Sequence, residues 1–278
     1  ISFQTSDIAR ILGFVVIYTA VSLILPIQGT VTLSFAIGSI ITGLLYGICL
    51  WYASLYIPLS KKTRIAVIWA SVYVIQMLNP VLEGLFFSTQ FEGNPELALG
   101  GILFGTILTL PTALAAGLLF NPATEVVSFG DLRKQYFAGF AQSSFALRFI
   151  LASVLWMGIY FVFGSIVGPL VLPYYTAPGS PFHLVLPSIE VVLSLQTLRG
   201  FIYVIGVMPL IVALNTDNRR LAIVLSALLY IGGALAVFII SDQFAVFLRI
   251  VHGVELLADS VVAGVVISAL LGRNKAEQ

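Results

Sequence analysis

A chain of 278 residues in which 59% of side chains are hydrophobic and 9% are charged cannot bury its apolar surface in a soluble fold, where about a quarter of residues carry charge. The formal net charge of +1 leaves no basic face for nucleic acid, and the single cysteine, Cys49, excludes an intramolecular disulfide. Mean hydropathy is +1.07, so the expected fold class is an all-α integral membrane protein with lipid as its main solvent.

The first residue is Ile1, not Met, which leaves room for a preceding segment, and no cleavable signal pattern is visible. A spanning helix needs about 20 mainly apolar residues. Eight stretches meet that length, at 7–26, 31–58, 65–88, 97–120, 146–172, 188–214, 220–241 and 245–272. The breaker clusters "LPIQGT", "PLSKKTR", "STQFEGNPE", "NPATEVVSFGD", "LPYYTAPGSP" and "NTDNRR" separate them. No strand-like alternation competes, so the expectation is a bundle of about eight transmembrane helices forming one polytopic domain over 1–278.

Span two carries Gly43-x-x-x-Gly47, span four Gly101-x-x-x-Gly105 and span five Gly164-x-x-x-Gly168; small residues four apart let helix backbones approach in lipid. In span three, "QMLNPVLEG" places Gln76, Asn79 and Glu83 on one face, and Pro80 removes a backbone donor there. Between spans four and five, segment 121–145 includes "SFGDLRKQYFAGFAQSSF". Its Leu132, Tyr136, Phe137 and Phe140 share a side away from Asp131, Arg133 and Lys134, the pattern of a cytoplasmic interfacial helix. Span six opens with Glu190, where a carboxylate favours the helix dipole, and carries Gln196, Arg199 and Tyr203 on one stripe. Span eight, "FLRIVHGVELLADSVVAGVVISALLG", holds Arg249, His252, Glu255 and Asp259 within roughly a third of the helix circumference.

Cationic residues predict orientation. Eleven of the thirteen Lys and Arg residues lie in the first turn of span one, five or seven, after span eight, or in the loops on that side, and the opposite loops contain none. By the positive-inside rule both termini are cytoplasmic, as expected of a multi-pass protein of the plasma membrane. The remaining two are Arg199 and Arg249; Arg249 lies shallow enough to snorkel to outer headgroups. A faint repeat also emerges. "TGLLYGICLWYASLYIPLSKKTRIAVI" from Thr42 overlies "RGFIYVIGVMPLIVALNTDNRRLAIVL" from Arg199, and "IARIL" resembles "ALRFIL". This is compatible with two tandem four-helix units, 1–120 and 146–278, related about the membrane normal.

Depth then brings Asn79, Glu83, Arg199, His252, Glu255 and Asp259 to one level, from mid-bilayer outwards. A charge at the bilayer centre costs about 2.5–3.5 kcal/mol on insertion scales, so a shared interior cluster is expected, with Arg199 near Glu83 or Glu255. Such a cluster suits a small ion- or proton-coupled transporter, with Glu83, Glu255 and Asp259 exchanging protons or cations, Arg199 neutralising a carboxylate, and His252 tuning protonation. Two other classes remain: an intramembrane enzyme acting on lipid or peptide through His252 and Glu255, and a non-catalytic scaffold or accessory subunit with membrane-protein partners or further copies of itself. No G-x-S-x-G elbow, P-loop or H-E-x-x-H run is present. Neither are the Glu-Glu-x-x-x-Arg and paired histidine motifs of intramembrane CAAX-type proteases. No cofactor is expected; a metal on His252, Glu255 and either Glu83 or Asp259 would lack the several nitrogens or thiolates usual for zinc.

Overall fold

The computed structural model describes residues 4–25, 31–87, 95–177, 184–241 and 244–273. Lys275, most of "STQFEGNPE", and parts of "LPIQGT" and "LPYYTAPGSP" lie outside the described residues. The chain is an eight-helix membrane bundle. Its helices are α1 (Thr5–Ile24), α2 (Leu33–Ser54), α3 (Lys61–Tyr73), α4 (Asn79–Phe87), α5 (Pro95–Leu119), α6 (Phe129–Ala138), α7 (Gln142–Thr176), α8 (Ile189–Ala213), α9 (Asn218–Tyr230), α10 (Ala236–Ile240) and α11 (Val246–Leu271). A π-helical stretch, Val74–Leu78, joins α3 to α4 into one span, and another, Ile231–Leu235, joins α9 to α10. The eight spans run from 20 to 35 residues. At about 1.5 Å per residue even the shortest covers a hydrocarbon core of about 30 Å.

Helix starts follow capping chemistry. Thr32, Ser60, Ser128 and Asp217 each accept a hydrogen bond from the backbone N–H three residues on. Outside the spans, that backbone donor from Arg220 and the nearby Arg220 guanidinium hold the Asp217 carboxyl below its usual value. Leu12, Val16, Val162, Ile166, Ile250, Val254 and Val265 stay exposed on the outer faces of α1, α7 and α11, as lipid contact requires.

One end of the bundle, here the basic end, carries the loop cations. Arginines there serve as caps. Arg64 is buried in the first turn of α3 and donates to Gly117 O at 2.8 Å and Leu59 O at 3.3 Å. Arg148 donates to Leu270 O, and Arg273 to Leu132 O and Val212 O. Gly117 O, Leu270 O and Val212 O lie in the last turns of α5, α11 and α8, where the dipole is negative.

Helix α6 turns part of its apolar face towards the protein. Leu132 and Tyr136 are buried, and the Tyr136 hydroxyl donates to Leu271 O at 2.7 Å. Phe137 remains exposed. The helix therefore packs against α8 and the end of α11 with most of the face expected to meet lipid. Arg249, half-buried, reaches back past the start of α11 and donates to Ser241 O at 2.6 Å and Phe244 O at 2.8 Å.

Glycines set the closest crossings. A methyl group at Gly264 of α11 would lie 2.7 Å from Ser226 N and 2.9 Å from its Cα on α9. Backbone cannot yield there as a side chain can. Gly264→Ala is expected to cost about 2 kcal/mol, read as a lowered midpoint of thermal unfolding in detergent; an unchanged midpoint would contradict this crossing. Gly43, Gly47 and Gly105 also sit against side chains of neighbouring helices. Gly164 is looser, a Cβ there lying 3.7 Å from Glu255 Oε1. A Cβ at Gly168 meets nothing within 4 Å, because that face of α7 borders a cavity.

Candidate functional site

Helices α4, α7, α8 and α11, with the π stretch after α9, enclose a cavity of about 530 Å³. Phe87, Leu184, Leu186 and Phe244 line it towards the end opposite the basic one, and Tyr203 and Asp259 line its inner part. Five of the six residues expected to cluster, Glu83, Arg199, His252, Glu255 and Asp259, line this one space. The sixth, Asn79, is fully buried behind it.

Arg199 is held on several sides. Its Nε donates to Asn79 Oδ1 at 2.8 Å, and its Nη1 donates to Gln196 Oε1 at 3.0 Å. The same Nη1 pairs with Glu83 Oε1 in a close salt bridge. Asn79 returns a bond through Nδ2 to Arg199 O at 3.3 Å. The expected pairing of Arg199 is thus with Glu83 of α4. Desolvating the guanidinium requires such a set, because a buried charge is tolerated only when it is paired and its donors are satisfied.

Helix α11 presents the other acids. The His252 Nδ1 and the Tyr175 hydroxyl of α7 are 2.6 Å apart, and His252 Nε2 lies 3.6 Å from Glu255 Oε2. Glu255 and Asp259 are 8% and 3% exposed. Among the described residues Glu255 Oε2 and Asp259 Oδ1 meet no hydrogen-bond donor. Buried oxygens of this kind are otherwise served by water, a proton or a cation. Among the described residues no three His, Cys, Asp or Glu side chains gather as metal ligands.

Gln76 leaves the face on which helical spacing put it. It accepts from the Tyr46 hydroxyl at 3.3 Å and lines a second, smaller space of about 70 Å³ with Tyr18, Phe35, Leu108, Ile240 and Ser241. The π stretch Val74–Leu78 is the cause: wider turns shift helical phase, parting Gln76 from Asn79 and Glu83. Tyr160 and Tyr175 of α7 and Trp156 against Tyr203, with ring centroids 4.4 Å apart, were not singled out by sequence as a wall of the site. Aromatic residues in an apolar helix carry no signal of the face they will occupy. No protein-family model matches the chain, and no curated protein or solved structure gives a significant match.

Proposed function

We propose that this chain is a small proton- or ion-coupled transporter in which Glu255 and Asp259 are the exchanging groups. The observation that carries the reading is that both carboxylates are more than nine-tenths buried, yet each offers an oxygen without a protein donor in the same large cavity. Intramembrane acids so placed are what proton and cation pathways use. Arg199 and Glu83 form a neutral pair that sets the cavity's geometry, while His252 stands between Tyr175, which it hydrogen-bonds, and Glu255, 3.6 Å away. With the basic end in the cytoplasm, the cavity faces the outer side.

The same reading takes the chain as a tandem of two four-helix units. Lys61 of α3 precedes Asn218 of α9 by 157 positions, and the same interval relates Val74 to Ile231 and Asn79 to Ala236, the starts of the π stretches and of α4 and α10. Packing runs in parallel: α1 on α2 and α5, with α3 on α5, and α7 on α8 and α11, with α9 on α11. Ser60 and Asp217, 157 positions apart, cap corresponding helices. Two π stretches at matching positions provide paired irregularities about which the halves would rock.

Topology is checked by labelling. Cys49 is buried, so single cysteines at Ala177 and Glu125, both exposed, report cleanly with a membrane-impermeant maleimide. The residue 177 probe is expected to react from outside and the residue 125 probe only after permeabilisation; the reverse pattern would turn the orientation over. Transport itself is tested in proteoliposomes under an imposed pH gradient, with internal pH as the readout. Proton flux stimulated by an external cation supports coupling. A stable, inserted protein with no ion- or pH-dependent flux would count for a scaffold role.

A further inference from the structure

We infer that the cavity binds a hydrophobic organic cation, an onium or ammonium centre on an aromatic or alkyl body; this substrate class rests on the transport reading above. Charge is the first reason. The lining side chains include three carboxylates, Glu83, Glu255 and Asp259, and one permanent cation, Arg199. Arg199 is consumed by Glu83, Asn79 and Gln196. Besides Arg199, which acts on Asp259 only through space, the groups facing the remaining two acids are Tyr160, Tyr175 and Tyr203 from α7 and α8 and His252 from α11 itself, none with permanent positive charge. An anion would meet uncompensated acids; a cation would meet the two oxygens that lack protein donors.

Shape is the second reason. A volume of about 530 Å³ lies within the usual range for organic ligands of about 300–1,000 Å³, and is far larger than a bare ion needs. Phe87, Trp156, Tyr160 and Tyr203 supply aromatic walls, and such faces attract cations most strongly when water is excluded. Gly164 and Gly168 keep the α7 side open.

Comparison of the two halves supplies the third. In the smaller cavity, Val237, Ile240 and Ser241 stand 157 positions after Pro80, Glu83 and Gly84, and α5 contributes only the neutral Leu108 and Thr112 whereas α11 contributes Glu255, Asp259 and Ser260 to the larger one. Helices of this arrangement therefore close around neutral residues at these positions. The acids of the larger cavity are not demanded by packing.

Equilibrium binding of radiolabelled tetraphenylphosphonium to the purified, detergent-solubilised chain tests the inference, with tetraphenylborate as a match in shape and opposite in charge. Saturable phosphonium binding is expected, weakened about tenfold or more in Glu255→Gln and Asp259→Asn, with no saturable borate binding. Gly164→Leu tests the space without removing a charge. A Cβ there makes only an ordinary contact, 3.7 Å from Glu255 Oε1, so the variant should fold and lose phosphonium binding even if the acid variants fail to fold. No saturable phosphonium binding, equal binding by folded acid variants and by Gly164→Leu, or borate binding as tight as phosphonium would overturn the inference. Flux measured on the same preparation separates the two readings. Flux without phosphonium binding defeats the substrate class and leaves coupled transport standing, whereas binding without flux supports the class and defeats transport.

Discussion

Glu83→Ile alone is expected to destabilise the protein by about 3 kcal/mol, and adding Arg199→Thr to recover more than half of that loss. The single change strands a guanidinium whose side chain is 6% exposed, while Asn79 and Gln196 still aim acceptors at it. Glu83 is 36% exposed to the cavity, which places the cost at the lower end of the range of about 3–5 kcal/mol for breaking a buried pair. The double change installs the residue types found 157 positions away, Ile240 after Glu83 and Thr42 before Arg199. It removes the charge together with its partner, so the desolvation penalty disappears with the attraction. Residual cost comes from Asn79 Oδ1 and Gln196 Oε1, which lose their donor. A double-mutant cycle from unfolding in detergent measures this. Additive losses would show that the pair contributes nothing, and would also weaken the equivalence drawn between the halves.

Glu255→Gln and Asp259→Asn carry the second large effect, in the opposite sense. Each is expected to lower cation-stimulated proton flux by a factor of about 100 or more while the unfolding midpoint holds or rises. Among the described residues neither acid forms a salt bridge with a Lys or Arg that its loss would strand, and His252 lies beyond hydrogen-bond distance of Glu255 at 3.6 Å. An amide of the same shape cannot carry the proton, yet it is cheaper to bury than an unpartnered carboxylate. Flux retained with stability lost would make these groups structural and sink the transport reading. Loss of both would require the two losses to be separated by binding on the protein that remains folded.

Helix existence and helix limits were legible because the hydrocarbon thickness sets a length that apolar runs must meet. Expected spans of 7–26, 188–214 and 245–272 stand against Thr5–Ile24, Ile189–Ala213 and Val246–Leu271. The fifth span was read short, at 146–172 against Gln142–Thr176. Arg148 has the charge of a loop cation, yet it bonds Ser144 and Leu270 O from within the first turns of that helix. Arg64 misled in the same way, since charge alone does not distinguish a solvated loop residue from one buried against helix-end carbonyls.

Lipid as the solvent, the course of eight helices and the cost of leaving six polar residues alone in that lipid can all be read along the chain. Those conclusions depend on local quantities, namely run length, helical phase and the cost of an unpaired charge, and local quantities can be read along a chain. Tertiary structure decided the rest. It chose Glu83 over Glu255 as the partner of Arg199, placed Asn79 behind the pair, and moved Gln76 to the smaller cavity through one π-helical stretch. It also made a wall from the aromatic residues of α7 and left Glu255 and Asp259 facing open space. These outcomes depend on which helices meet and at what phase. A single turn of altered pitch changes that phase by about one residue's rotation, and no local property of the side chains reports it.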